Sequence, residues 1–285
     1  MPKLPNTLIV LPYDPNWKIE FERIRDYLME QIGDLIVEIK HGGSTSVPGL
    51  AAKPIIDIFA MMKSYDIFPE IVARLEKIGF VHEGDGGIKD REVFKRIIPD
   101  DFMNYHFYVC PKNSEENRRH TIFRNALLND KNIADEYGKL KMRLIEEVNG
   151  DRVLYTNSKT DFILGVINNA IQVNEFWFAL DKLVSESKII IDRPKGSRHP
   201  KYPDCIYPVD YGYLENTSSM DGNGIDVWKG TDGDYIDAII CTVDLLKRDS
   251  EIKILIGCSE EEKRLVMPDN EFMKGILIRR IRNEI

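Results

Sequence analysis

The chain has no excess of basic residues: 39 Lys and Arg stand against 47 Asp and Glu over 285 residues, for a formal net charge of −8. Neutralising a phosphate backbone calls for a basic face, so nucleic acid is not expected as a partner. Cysteine is sparse. The four, at 110, 205, 241 and 258, form no CxxC pair and no metal-finger spacing, which argues against a disulfide framework and fits reduced thiols. Long apolar runs, internal repeats and low-complexity tracts are also missing. The opening MPKLPNTLIVLP carries an apolar run too short for a signal peptide, and nothing approaches a membrane span. No membrane association is expected, and the cytoplasm is the expected compartment.

What is present is ordinary globular material, 43% hydrophobic and 30% charged, in a chain longer than one domain usually is. Two domains are expected, 1–175 and 186–285. Asp14-Pro15 reads as a helix start, with Trp17, Phe21, Ile24 and Leu28 following at helical spacing until Gly33. Strands are expected over 35–39, 55–62, 80–82, 92–98 and 105–110, with a helix over 69–78. Three helical segments follow from 114 to about 172, the third capped by Ser158 with Asp161 three residues on. Residues 172–187 extend that helix across to the second unit. From 188 the texture changes to short apolar strands over 189–191, 207–214, 225–229, 235–243 and 252–258, a spacing that suggests a small barrel or curled sheet.

The densest run of unusual residue types is HGGSTSVPGLAAKPIID at 41–57. Small residues let backbone N–H groups close on an anion, and a carboxylate at a strand edge can hold a divalent cation. Gly43, Ser44 and Asp57 therefore suggest a site for a metal-bound phosphate. A plain Gly/Ser turn beside a solvated Asp satisfies the same composition. Arg91, Lys95 and Arg96, after the glycine turn at 83–88, are either phosphate cations or the charged edge of a hairpin. His120 is read as structural.

These residues also carry a resemblance. YDPNW at 13–17, HGGSTSVPGLAAKPIIDI at 41–58, NRRHTIFRNAL at 117–127 and YTNSKTDFI at 155–163 make residues 8 to about 172 look like the GrpB family of the polymerase-beta-type nucleotidyltransferase superfamily. The resemblance implies an α+β domain, a mixed sheet flanked by helices, with Gly43, Ser44 and Asp57 in the nucleotide and metal positions. Two positions depart from the superfamily pattern. Phe59 stands where a second acid is expected, and NYHFYV puts His106 and Tyr108 on the strand that would supply a third.

DRPKGSRHPKY at 192–202 and YPVDYGYLENTSSMDGNGIDV at 207–227 resemble the family I inorganic pyrophosphatases, which implies a small OB-type β-barrel using Mg²⁺. Carried across, Asp192, Asp221 and Asp226 are metal-side acids and Asp226, Tyr211 and Lys201 the catalytic candidates. Lys253, with Asp249 and Glu251, matches a later acid-acid-lysine group, and Lys195 or Arg198 substitutes for a missing phosphate cation. Asn223 and Pro203 stand where that family has acids.

The expectation is a protein acting on Mg²⁺-bound small-molecule phosphate compounds, nucleotide or pyrophosphate, as a nucleotidyltransferase fused to a diphosphate hydrolase. The rival readings are a non-catalytic nucleotide or phosphate sensor and a scaffold for protein partners. Oligomeric state and acceptor are left open.

Overall fold

A computed structural model describes residues 9–149, 151–200, 202–219, 222–268 and 270–281. The chain divides into two compact units with the boundary between Ile171 and Gln172.

In the N-terminal unit, α1 (Asn16–Ile32) starts one residue later than its sequence signals suggest. Pro15 is the cap, and Asp14 acts from one position further back, its carboxylate accepting from the Asn16 N–H at 2.9 Å. The apolar face of α1, Trp17, Phe21, Ile24, Leu28 and Ile32, packs into the core. The sheet uses β1 (Ile36–Gly42), β2 (Ile56–Met62), β3 (Phe80–His82), β4 (Glu92–Arg96) and β5 (Tyr105–Pro111) in the order β1-β2-β5-β4-β3. The β2/β5 pair is parallel and the other three are antiparallel, so the sheet is mixed. Ile56, Ile58, Ala60 and Met62 on β2, with Phe107 and Val109 on β5, face the core shared with α1 and α2 (Phe68–Lys77). The other face of β2 and β5 carries Asp57, Phe59, His106 and Tyr108, because strand side chains alternate.

Two well-capped helices follow. Ser114 accepts from the Asn117 N–H at 3.2 Å to start α3 (Glu115–Asn129), and Asp130 accepts from Asn132 and Ile133 at 2.8 and 3.3 Å to start α4 (Lys131–Glu147). The expected cap at Ser158 is corrected here. Asp151 caps a short α5 (Arg152–Asn157), Ser158 closes that helix, and α6 begins after it (Thr160–Ser185).

In the C-terminal unit, β6 (Ile189–Arg193), β7 (Asp210–Leu214), β8 (Asp226–Lys229), β9 (Ile236–Asp244), β10 (Asp249–Ile256) and β11 (Met273–Arg279) make one sheet in the order β11-β9-β10-β8-β7-β6. The β10/β8 pair is parallel, so this sheet is mixed too. The closed barrel expected for this half is not shown. Closure needs hydrogen bonds between the first and last strands of the order, and among the described residues β11 and β6 remain edges. Two core groups cover the sheet, one around Trp177, Leu214 and Ile254 and one around Tyr207, Trp228 and Leu255. α7 (Glu260–Leu265), with a capping box between Ser259 and Glu262, and β11 were not expected from sequence. Among the described residues no helix is long and apolar enough to cross a membrane.

Candidate functional site

The Gly-Ser turn of the N-terminal unit lies between β1 and β2 and closes tightly on Asp57. Gly43 has φ 61° and ψ −171°, a conformation essentially confined to glycine. A Cβ on it would sit 2.0 Å from Asp57 Oδ2. Ser44–Ser46 then form one short 3-10 turn whose hydrogen bonds lead outward to a cation. The Ser46 hydroxyl donates to the Gly43 carbonyl at 2.7 Å and accepts from Arg124 Nε of α3 at 3.0 Å. The terminal nitrogens of Arg124 make no hydrogen bond among the described residues. Burial pulls the Arg124 pKa below the usual arginine range. Ser44 stands against the Tyr137 hydroxyl of α4.

The parallel register of β2 and β5 puts Asp57 beside His106. His106 Nδ1 lies 2.9 Å from Asp57 Oδ1, and since a carboxylate only accepts, Nδ1 carries the proton. His41 is stacked on Phe21 at 4.6 Å and reaches the Thr45 hydroxyl at 2.9 Å. Burial, helped by the Arg124 charge, pushes its pKa down to about 4, so His41 is neutral at pH 7.

Three lysines surround this turn, and they were not among the candidates read from sequence. Lys141, 2% exposed on α4, donates to the Ala51 carbonyl and lies 4.6 Å from the Tyr137 ring. Burial, with repulsion from Lys159, holds its pKa down at about 7. Lys53 and Lys159 both rest against the Tyr155 ring, at 4.1 and 4.2 Å. Burial and the Lys53 charge lower Lys159 to about 8, and Asp57 opposes that shift. Among the described residues Lys141, Lys159 and Arg124 form no ion pair. One signal was available for Lys141: it interrupts an apolar stripe at Tyr137, Leu140, Leu144 and Val148. Lys53 and Lys159 lie inside the quoted motifs.

Do these residues fit a resident Mg²⁺? Such an ion wants several oxygens in octahedral order. Asp57 is a single carboxylate already bonded to His106. At the position of a second acid, Phe59 is 3% exposed, its ring against Gly42, Tyr108 (4.9 Å) and His120 (4.5 Å). His120 in turn pairs with Glu116 at 2.8 Å. Among the described residues no three His, Cys, Asp or Glu side chains converge on one point. The described side chains do not fit a resident metal.

In the C-terminal unit, Tyr211, Asp226 and Lys253 come together. Lys253 sits between Asp226, which it contacts closely, and Glu251 at 3.0 Å, and lies 3.5 Å from the Tyr211 hydroxyl. Burial would lower the Lys253 pKa, but Asp226 and Glu251 outweigh it and the net shift is upward. Burial, reinforced by Asp226, raises the Tyr211 phenol. The lysine thus supplies both carboxylates with the positive charge a metal would bring. Asp192, Lys195 and Arg198 are exposed: Asp192 lies 3.6 Å from Arg193, Arg198 donates to the Pro203 carbonyl at 2.8 Å, and of Lys195 it is the backbone N–H, not the ammonium, that donates to Asp210 at 2.7 Å. Lys201 and Asp221 lie outside the described residues.

Comparison with known proteins gives a match of residues 7–169 to a family model described as GrpB protein. The Glutamate-rich protein GrpB of Alkalihalophilus pseudofirmus is 30% identical over 164 residues, covering 56% of this chain and 94% of that protein. The UPF0157 protein YqkA of Bacillus subtilis is 29% identical over 161 residues, 56% of this chain but only 46% of that relative's length. A crystal structure of the conserved protein GrpB from Enterococcus faecalis superposes with a TM-score of 0.52 at 31% identity, over 59% of this chain and 99% of that one. None of these matches shows a pyrophosphatase-like domain.

Proposed function

The chain belongs to the GrpB family through residues 7–169, and on that footing we propose that its N-terminal unit binds a nucleotide or related small phosphate compound at the turn formed by Gly43, Ser44 and Asp57. The observation that carries this reading is the gathering of Arg124, Lys141 and Lys159 around a turn with one carboxylate, without ion pairs among the described residues. Buried like charges repel, and a partly desolvated cation without an opposite charge beside it is costly. An anionic ligand offsets both costs. The Gly-Ser turn adds backbone donors, and the ends of the Arg124 guanidinium are open to phosphate oxygens in a forked geometry.

Nucleotidyl transfer is the superfamily's chemistry by resemblance, and the site departs from it at Phe59, so binding is the stronger reading and turnover the weaker. Isothermal titration of the full chain with ATP, GTP, CTP, UTP and inorganic tripolyphosphate tests it. Binding that weakens in Arg124→Gln supports it. Absence of heat with every one of these anions, with and without Mg²⁺, refutes it.

The expectation of diphosphate hydrolysis in the C-terminal unit has the convergence of Tyr211, Asp226 and Lys253 in its favour. Against it stands the hold of Lys253 on both carboxylates. A phosphate-release assay with pyrophosphate and Mg²⁺ decides: equal rates for the wild type and Asp226→Ala remove it.

A further inference from the structure

The resemblance leads one to look for a divalent cation beside Asp57, and the side chains there do not fit one. Instead, the positive charge that such an ion would bring is already present in the protein. Lys53 and Lys159 converge on one aromatic ring, Arg124 is tied to the turn through Ser46, and Lys159 senses Asp57 electrostatically. Lys141 has a different task, since its ammonium is committed to the Ala51 carbonyl. Where the superfamily pattern has a second acid, the ring of Phe59 fills the space, so metal oxygens are replaced by an apolar wall.

We propose that this site takes the phosphate tail of its ligand as a metal-free polyanion, with Lys159, Lys53 and Arg124 in the charge-balancing role of the divalent cation. The inference rests on the phosphate-binding reading above and goes further by naming the ionic form of the ligand. Chelation of Mg²⁺ by the triphosphate removes two of its negative charges and occupies the oxygens these cations would contact. Metal therefore competes with the protein for the ligand. The downward pKa shifts of Lys159 and Lys141, caused first by burial, add that binding a polyanion draws protons from solvent onto these lysines; the other titratable groups facing them and the turn are Lys53, Arg124, Asp57, His41, His106, Tyr137 and Tyr155.

The test is calorimetry of the full chain with ATP and with inorganic tripolyphosphate, once in EDTA and once in excess Mg²⁺. Affinity is expected to be about tenfold or more higher in EDTA, and Lys159→Gln to weaken the EDTA value by at least about tenfold, the worth of one charge-assisted hydrogen bond. Lys159→Arg, which keeps the charge, is expected to retain most of it, and circular dichroism of both variants checks that the fold is unchanged. Binding that requires Mg²⁺ overturns the metal-free form while leaving phosphate binding intact. Metal-free binding that Lys159→Gln leaves unchanged overturns the assignment of the cations. No binding of either anion in either condition overturns the phosphate-binding reading and this inference with it.

Discussion

Replacing Gly43 with Ala tests whether the turn at Gly43–Ser46 is built against Asp57. Two costs can be separated. The backbone at φ 61°, ψ −171° is nearly closed to residues with a Cβ, which costs about 1–3 kcal/mol. The new methyl would also lie 2.0 Å from Asp57 Oδ2 and 2.9 Å from Cγ, far inside contact distance. The carboxylate must swing away, breaking its bond to His106. That pair has side-chain exposures of 28% and 53%, so after solvent screening its loss is worth about 1 kcal/mol rather than the value of a buried charged pair. The total expected is about 2–4 kcal/mol. Introducing Gly43→Ala into an Asp57→Ala background leaves the backbone cost but removes the clash with Oδ2, so the double-mutant cycle should show a coupling of about 1 kcal/mol. Urea unfolding would be read from Trp17, 1% exposed in the core of the N-terminal unit, with Trp177 and Trp228 changed to Phe in every variant. A cost below about 0.5 kcal/mol for Gly43→Ala, or the same cost in both backgrounds, refutes the argument that the turn and the carboxylate are fitted to one another.

Other outcomes follow from the buried lysines. Lys141 is held down at about 7 from the ordinary 10.5, so between those values the unfolded chain binds a proton that the folded site has released, and stability of the N-terminal unit must rise with pH across that window. At about 1.36 kcal/mol per unit the upper limit is about 5 kcal/mol. Lys141→Met should remove a large part of the rise, leaving the contribution of Lys159, which has the same sign. Urea midpoints of the wild type that do not change from neutral pH to pH 10 would contradict this. In the C-terminal unit, Lys253→Met strands Asp226 and Glu251 together and should cost about 3–5 kcal/mol. The upward shift of Lys253 puts its contribution in place at neutral pH and removes it only as pH rises past the lysine range. Adding Asp226→Asn and Glu251→Gln should restore most of the loss, measured by amide exchange in β8 and β10. If Lys253→Met alone melts with the wild type, the lysine does not hold the cluster.

Much of the fold was legible because its signals are local. The alternation and apolar runs of β2, β3 and β5 set strands within a residue or two of those observed, and Ser114 and Asp130 cap helices through their own backbone neighbours. Where two local signals competed, the reading shifted: Ser158 has the spacing of a helix start, yet it closes α5 because Asp151 caps an earlier turn. β11 was missed because the run over 273–279 is short, with one face only half-buried and the other exposed, and its place is set by pairing with β9 some thirty residues earlier.

The sequence by itself determined the family, the position of the turn at 41–57 and the identity of Gly43 and Asp57, since a glycine-only conformation and a strand-borne acid are written in consecutive residues. Only the tertiary structure decided what surrounds that acid. The β2/β5 register, across 49 residues, made His106 its partner, and Arg124, Lys141 and Lys159 arrived from α3, α4 and the α5–α6 turn. A charge on one helix carries no local mark of the turn it will face, because convergence is set by packing between elements and not by spacing along any one of them.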